Sequence, residues 1–487
     1  MRARLFAGLL LAATLFFYFA AQRTNPPGFF NDESSTSWNA LLIARHGMDE
    51  HGVRFPLYYK AFGDYKNPVY VYALAVVFEV FPVSDLVARR FSAACGFLTC
   101  LALGWLGWRI SRSRSVAVMT FLTALCTPML FEVSRVVFEV AIYPLVTAGF
   151  LLVVHAASRR ERWGAREIIG ISATLLLLLY AYSIGRLLAP LLALVLARVF
   201  YTRERRPAIA AILLVFALLG VVPVGAFNRA HEGALTARFL NLTYIGDPQS
   251  TPIGELGKIT KYFAMNLDPI GMSFKGDPNT RHHVPGSGGG ILLMTYVLAA
   301  VSVWVLASAS TGPAEAGPHT RTWWQFVGIA TFLSIVPGAL TTDPRHALRL
   351  APYPVFLITL SIPAIDWLKQ RHRAAGTLIA AAGAIQAICF FTIFHRDGAS
   401  RGPEFEAGAG RVINAALDKG QRPVYLETLL GYAHANWYAE QRGIHADAFV
   451  RGGSPPRGAV VFAEYEDPPK GAVVIDRQGQ FVAYFNP

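Results

Sequence analysis

The chain has 487 residues, of which 54% are apolar and 15% are charged. Soluble domains carry about 25% charged residues, so this composition excludes an ordinary soluble protein. The net charge of +13 does not indicate a nucleic-acid partner, because the basic residues form short clusters between apolar runs. Such clusters are typical of the cytoplasmic loops of membrane proteins.

Eleven apolar segments predict an all-α polytopic membrane protein. A helix that crosses a bilayer needs about 20 residues, and each segment approaches or reaches that length. The segments lie at 5–21, 87–109, 116–132, 137–157, 168–182, 187–201, 208–226, 291–308, 323–340, 350–367 and 374–394. The first resembles a signal peptide loosely, but no clear start of a mature domain follows it, so an uncleaved first helix is favoured.

Two long external loops follow when every basic cluster is placed inside. The first loop covers 22–86 and the second covers 227–290. Within the first, the apolar stretch 68–82 is short for a span and is expected to lie along the interface or to enter the membrane only part way. The predicted membrane domain therefore occupies 1–395.

The last segment, 396–487, differs from the rest. Its apolar residues form short runs bounded by Gly and Pro, which indicate strands, whereas 413–420 and 429–443 are predicted to be helices. The sequence therefore predicts a small external α/β domain, and no catalytic motif stands out in it.

The first external loop holds a vicinal acidic pair, Asp32 and Glu33, about ten residues after the first apolar segment. One carboxylate could act as a general base while its neighbour, which points in another direction, orients a partner or binds a cation. The alternative is structural, since acidic residues in a first helical turn stabilise the helix that follows.

Lys66 precedes Asn67-Pro68 at the end of the same loop. Proline restricts the backbone just before the apolar stretch, so the lysine should project at the depth of the membrane interface, where a lipid phosphate lies. It is therefore a candidate phosphate ligand, with a snorkelling interfacial lysine as the alternative.

Three further ionisable residues lie at the external ends of predicted spans. Arg135 and Glu139 are four residues apart and should share one helical face, either as an ion pair or as functional groups. Arg186 lies in a tight external turn without an obvious local carboxylate, which favours a phosphate partner.

The last external loop contains Arg345, His346 and Arg349. Two arginines four residues apart at the start of a helix should stack on one face and suit a bidentate phosphate clamp. His346 is a candidate metal ligand or second proton carrier, or simply a hydrogen-bonding loop residue. The neighbouring pair His282-His283 gives only a weak metal signal, because adjacent histidines rarely chelate one ion.

Four segments, PPGFFNDE, FGDYKNPVYVY, SRVVFE and DPRHALR, resemble the GT-C glycosyltransferase superfamily in its protein-mannosyltransferase and aminoarabinose-transferase-like branch. The resemblance covers about 1–395 and leaves the tail outside. It implies a glycosyltransferase in the plasma (inner) membrane that takes a hexose or pentose from a polyprenyl-phosphate donor. Transfer would occur with inversion on the extracytoplasmic side, without an organic cofactor, to an unspecified glycan, lipid or protein acceptor.

The resemblance also implies residue roles. It makes Asp32 the base and Glu33 its support or a metal contact. Lys66 would bind the carrier phosphate, and the late-loop arginines resemble donor-phosphate ligands, to which our own interpretation adds Arg135 and Arg186.

A divalent metal is a further expectation, because a second acidic residue often helps to bind one in this family. Glu139 is the nearest equivalent, so Asp32 and Glu139 are the metal candidates. Tyr65 stands where aminoarabinose transferases carry an acidic metal-binding residue, which leaves metal dependence open.

Two other classes of function stay open on the sequence alone. A transporter or flippase of a lipid-linked anion should carry ionisable residues at mid-span and some internal symmetry, whereas here such residues gather at the external ends. A non-catalytic subunit of a glycan-assembly complex would keep the fold without the chemistry.

Overall fold

A computed structural model describes residues 2–246, 250–309, 318–427, 431–445, 448–464 and 467–487. Helices dominate this part of the chain, and its strands lie only in the tail and in the first of the two loops that were predicted to be external. The predicted helical architecture with a small C-terminal α/β domain is confirmed.

The helices before the tail follow one another with short connections, except around the two long loops. They are α1 Arg2–Phe19, α2 Asn31–His46, α3 Pro68–Val80, α4 Asp85–Ser111, α5 Arg114–Leu125, α6 Pro128–Val133, α7 Tyr143–Ser158, α8 Ala165–Ala181, α9 Gly185–Val199, α10 Arg206–Phe216, α11 Val222–Ala230, α12 Ala234–Leu242, α13 Pro252–Leu267, α14 Pro269–Phe274, α15 Leu293–Ala309, α16 Pro318–Leu333, α17 Val336–Ala339, α18 Tyr353–Arg371 and α19 Arg373–Asp397. A 3₁₀ turn, Glu139–Ile142, leads into α7, and a π-helical turn, Ala217–Val221, joins α10 to α11.

Every predicted span coincides with helical structure. Four continuous helical segments are long and apolar enough to cross a membrane, and the chain is accordingly a membrane protein; they are Asp85–Ser111, Glu139–Ser158, Arg206–Ala230 and Arg373–Ser400. Other apolar helices, such as Gly8–Phe19 and Arg114–Leu125, are shorter. The number of eleven crossings therefore stays a prediction.

The first external loop is compact. It begins with α2, continues through an antiparallel hairpin of β1 (Tyr59–Ala61) and β2 (Asp64–Lys66), and ends where α3 starts. Phe62 and Gly63 make the two-residue turn with φ of 53° and 76°, the left-handed pair that matches the twist of a hairpin. The expected short apolar helix is present as α3, with Pro68 at its start.

The tail contains α20 (Ala409–Leu417), α21 (Tyr432–Gln441) and a five-stranded sheet in the order β4-β3-β5-β7-β6. The strands are β3 Val424–Leu426, β4 Phe449–Arg451, β5 Val460–Glu464, β6 Val473–Gln478 and β7 Phe481–Phe485. Strand β4 was not expected from the sequence. Residues 429 and 430 of the second predicted helix lie outside the described residues.

The tail packs directly on the first external loop. Trp437 of α21 is fully buried between the rings of Phe29 and Phe78, at centroid distances of 6.0 and 5.8 Å. Its indole nitrogen donates to Asp85 at 2.7 Å, which ties α21 to the start of α4. A Cβ on Gly28 would lie 2.3 Å from the carbonyl oxygen of Phe405, so the loop and the tail approach as closely as glycine allows.

Candidate active site

The structure brings together two residues that the sequence placed 34 positions apart. Lys66 Nζ donates to Asp32 Oδ1 at 3.0 Å, and the Asp32 side chain stays 32% exposed. Asp32 lies in the first turn of α2, where the helix dipole favours a negative charge. A partly exposed carboxylate and a cation therefore face the same space.

The hairpin and α3 hold Lys66 in this position. Lys66 is the last residue of β2, and Asn67 follows as the residue that precedes the first turn of α3. The Lys66 ammonium also lies 5.1 Å from the centre of the Phe62 ring, a distance at which a cation is attracted to an aromatic face.

Asn67 connects this pair to two more predicted residues. Its backbone N–H donates to Glu139 Oε1, and its Nδ2 donates to Oε2 at 3.1 Å. Arg186 Nη2 donates to Asn67 Oδ1 at 3.2 Å. We call Asp32, Lys66, Glu139 and Arg186 the Asp32 cluster.

Arg186 has donor capacity left. Its Nη1 donates to the Leu235 carbonyl at 2.6 Å, whereas its buried Nε has no hydrogen-bond partner among the described residues. The guanidinium lies 5.2 Å from the centre of the Tyr58 ring. Burial raises the pKa of Tyr58, although the Arg186 charge opposes this, so the phenol is neutral at physiological pH.

Aromatic rings line one side of the cluster. Tyr65 lies edge-on to Phe227 and to His231, at centroid distances of 5.1 and 5.3 Å, and Tyr58 lies 4.8 Å from Phe227. The residue beside Lys66 thus contributes to an apolar wall, of the kind that a sugar face or an isoprenoid chain would contact.

Glu33 occupies a very different environment from its neighbour. It is completely buried, and Arg89 donates to both carboxylate oxygens at 3.0 and 2.6 Å. The backbone N–H groups of Val137 and Phe30 donate to it at 2.9 and 3.2 Å. Glu33 therefore fits the alternative in which an acidic residue of the first turn stabilises the structure. A substrate would have to displace four hydrogen bonds to reach it.

Arg135 is also buried, and its position corrects the expected helical face shared with Glu139. Helix α6 ends at Val133 and the next helical turn starts at Glu139, so the two residues lie on either side of a break. Arg135 donates to the carbonyls of Tyr18, Ala20 and Asn25 at 3.0, 2.7 and 2.9 Å. These hydrogen bonds join the break after α6 to the end of α1 and the segment that follows it.

The two late-loop arginines, Arg345 and Arg349, have different partners. Residues 344–352 form turns before α18 begins, so the expected helical face for a clamp does not exist. Arg345, at φ 58°, donates through Nε to the Gly276 carbonyl at 3.1 Å. Arg349 pairs with Asp343 at 3.0 Å and donates to Thr341 at 2.8 Å.

The metal candidates Asp32 and Glu139 each have protein partners in the structure. Asp32 is paired with an ammonium group, and both oxygens of Glu139 accept from Asn67. Among the described residues, the group of three potential ligands that lie close together is elsewhere, at Asp277, His282 and His346. A divalent metal at Asp32 and Glu139 stays a prediction.

The tail reaches the helix that carries Asp32. His434 Nδ1 lies 2.7 Å from Ser34 Oγ, and Glu406 accepts from the Asn31 backbone N–H at 2.8 Å. His434 Nε2 also hydrogen-bonds Glu406. Residues just before and just after Asp32 are thus held by the tail.

Several contributors were not recognised from the sequence. Arg89 lies inside a predicted span, where a charged residue normally has a partner, so it was a detectable candidate for pairing with a loop carboxylate. Asn67 had a weaker signal, its position before a proline. Ser34, Glu406 and His434 gave none, because their contacts join segments about 400 residues apart.

The helical domain with its first long loop and C-terminal sheet is similar in fold to GT-C glycosyltransferases. One of the solved structures that it resembles is ArnT from Cupriavidus metallidurans, an aminoarabinose transferase. The apo ArnT structure matches with a TM-score of 0.64 and 13% identity over 99% of this chain and 98% of that chain. The structure of ArnT bound to undecaprenyl phosphate matches with a TM-score of 0.63 and 13% identity, over 98% of this chain and 97% of that chain.

A third solved structure is the Archaeoglobus fulgidus oligosaccharyltransferase tethered with an acceptor peptide. Its TM-score is only 0.47 at 13% identity, over 91% of this chain and 63% of that chain, so no conclusion is based on it. No protein-family model and no curated protein matches the sequence. The comparisons thus establish the fold, whereas the reaction has to be argued from the residues.

Proposed function

We propose that this protein is a membrane glycosyltransferase that takes a sugar from a polyprenyl-phosphate donor on the extracytoplasmic side of the inner membrane. The observation that carries the proposal is the contact of a partly exposed Asp32 with Lys66, because sugar transfer needs a base and a cation in one place. The fold shared with ArnT, which has been captured with undecaprenyl phosphate, supports the choice of donor class.

The reaction would be a single displacement. The acceptor nucleophile attacks the anomeric carbon, its proton passes to Asp32, and the bond from that carbon to the phosphate oxygen breaks with inversion. General-base catalysis of this kind contributes about 10²–10⁴-fold in rate. The donor is already activated as a phosphate ester, so no organic cofactor is required.

The leaving polyprenyl phosphate would be held by Lys66 and Arg186. Lys66 is close to Asp32 in the absence of substrate, and an incoming phosphate would compete with Asp32 for the same ammonium group, so that the Asp32 carboxylate could accept the proton of the acceptor. Arg186 offers its unpaired Nε, and charge-assisted hydrogen bonds to phosphate are about twice as strong as neutral ones. Glu139 acts as a positioning residue through Asn67.

Mass spectrometry of cell-envelope glycans and glycolipids tests the proposal. A strain that lacks the protein is complemented with the wild-type chain, with Asp32→Asn or with Asp418→Asn. Asp418 is a matched control, since it is an exposed aspartate that also pairs with a cation, Arg442 at 2.6 Å. A sugar modification that returns with the wild type and Asp418→Asn but not with Asp32→Asn is expected. Unchanged glycans in the deletion strain would refute the proposal, and full restoration by Asp32→Asn would refute the assigned base.

A further inference from the structure

Asp277, His282 and His346 form a second polar group, outside the Asp32 cluster. One ligand atom from each residue lies within 4.8 Å of the other two. His282 Nδ1 lies 3.0 Å from Asp277 Oδ2, and the two imidazole rings have a centroid distance of 4.8 Å. Two histidines and a carboxylate thus converge from two loops that are remote in sequence.

The carboxylate of this group is held by the backbone. Asp277 Oδ1 accepts from the Asn279 N–H at 2.8 Å, and Oδ2 accepts from the Ala347 N–H at 2.7 Å. The second contact joins the end of the long external loop to the residue after His346. Such hydrogen bonds fix the orientation of a carboxylate in the way that outer-shell partners fix metal ligands.

His346 supplies an independent indication of a ligand. Its Nδ1 is buried and has no hydrogen-bond partner among the described residues. Buried polar atoms are nearly always paired, so this nitrogen calls for a partner that protein atoms do not provide. A cation bound between the two rings would provide it.

We propose that Asp277, His282 and His346 bind a Zn²⁺ ion that joins the second long external loop to the last one. Two imidazole nitrogens and one carboxylate are ligands that Zn²⁺ accepts, whereas Mg²⁺ and Ca²⁺ prefer oxygen ligands. Ligand atoms of a tetrahedral zinc lie about 3.3 Å apart, whereas those of this group lie within 4.8 Å of one another, so the most distant atoms have to approach by at most about 1.5 Å. Three protein ligands leave a fourth position for water or an anionic oxygen.

Positive charge around the site does not prevent binding. Arg349 of the last loop pairs with Asp343 at 3.0 Å. Arg345 donates to the Gly276 carbonyl at 3.1 Å. Arg281 donates to the backbone carbonyl of Glu404 at 2.7 Å and pairs with the Glu406 carboxylate at 3.7 Å.

The ion would act on the loop that supports the Asp32 cluster. Arg281 precedes His282, and its guanidinium lies 5.0 Å from the centre of the Phe30 ring, two residues before Asp32. A bound Zn²⁺ would therefore fix the segment that covers the start of α2.

Metal analysis of the full-length protein tests the site. The chain is purified in detergent through a tag without histidine, stripped with chelator, and dialysed against Zn²⁺ or Mg²⁺. We expect one Zn²⁺ per chain and no retained Mg²⁺. Asp277→Asn, His282→Ala and His346→Ala should each lower the Zn²⁺ affinity at least about tenfold, whereas His445→Ala, which removes an exposed histidine, should not.

Thermal unfolding with and without Zn²⁺ gives a second measurement that does not depend on activity. Zn²⁺ should raise the melting temperature of the wild type and of His445→Ala, because a ligand of the folded state stabilises it. The same addition should leave His282→Ala unchanged. If the wild type retains no zinc, or if His282→Ala and His346→Ala retain as much as the wild type, the site is refuted. A variant that does not fold is replaced by His282→Gln or His346→Gln, to which the same expectation applies.

Discussion

Asp32 and Glu33 are neighbours in sequence and opposites in environment. Asp32 keeps about a third of its side chain exposed beside one lysine, whereas Glu33 is completely buried under Arg89 and two backbone amides. A vicinal acidic pair in the first loop thus divides into one group available to a substrate and one that holds the loop together. The Asp-Glu dipeptide therefore marks the position of the candidate site, whereas the burial of each side chain distinguishes the two carboxylates.

The largest expected effect separates the two residues by activity. Asp32→Asn should lower the single-turnover transfer rate by about 10²–10⁴-fold, because the amide cannot accept the proton. Its melting temperature should stay close to that of the wild type, since the lost ion pair is partly exposed. The transfer rate of purified protein in nanodiscs measures the first effect. A rate within a factor of two of the wild type would overturn the distinction drawn here.

The next effect should appear in stability. Glu33→Gln leaves the Arg89 charge buried without its partner, and removal of one member of a buried pair costs about 3–5 kcal/mol. Thermal unfolding in detergent should show this loss. The double variant Glu33→Leu with Arg89→Met removes both charges and should recover part of the stability. Equal melting temperatures for Glu33→Gln and Asp32→Asn would contradict the expected difference in stability between the buried and the partly exposed carboxylate.

A smaller effect is expected in donor binding. Lys66→Met should raise the KM for a polyprenyl-phosphate donor by about 10–100-fold, in line with the loss of one hydrogen bond to a charged group. Lys66→Arg should retain most of the binding. Lys60→Met is the matched control, because Lys60 is an exposed lysine of the same hairpin. An unchanged KM for Lys66→Met would favour the snorkelling alternative.

The smallest effect concerns a second buried pair, between His283 and Glu132. Burial alone would lower the pKa of His283, but the nearby carboxylate of Glu132, 2.6 Å away, more than offsets it and the pKa is raised. The stability from this pair is therefore fully present below about pH 6.5, the unfolded value, and is lost as the pH rises through the folded-state pKa. Melting temperatures across this range should fall more for the wild type than for His283→Gln. Parallel curves would contradict the assignment.

Much of the fold followed from the sequence because its signals are local. Apolar runs and basic clusters predicted helices at the right places, and the short apolar run before Pro82 forms the short helix α3. Gly- and Pro-bounded runs similarly predicted most tail strands. Only four helical segments among the described residues have the length and hydropathy of a membrane span. The number of membrane crossings was therefore harder to predict than the positions of the helices.

The sequence predicted a site residue only where its position next to an apolar segment pointed to it. Asp32 and Lys66 could be chosen because each adjoins an apolar segment, and the structure places them in contact. The arginines of the last loop were chosen by a helical spacing, which failed because their segment forms turns. Arg135 does not share a helical face with Glu139, and its partners are backbone carbonyls, which leave no mark in the sequence.

The contacts between the tail and α2 determine when the first loop can be completed during synthesis. His434 and Glu440 contact Ser34 and Arg45, so the start of the chain depends on residues made about 400 positions later. A ribosome that has completed every membrane helix has still not supplied these contacts. The site is therefore expected to reach its working geometry only after the tail has been synthesised and has packed on α2.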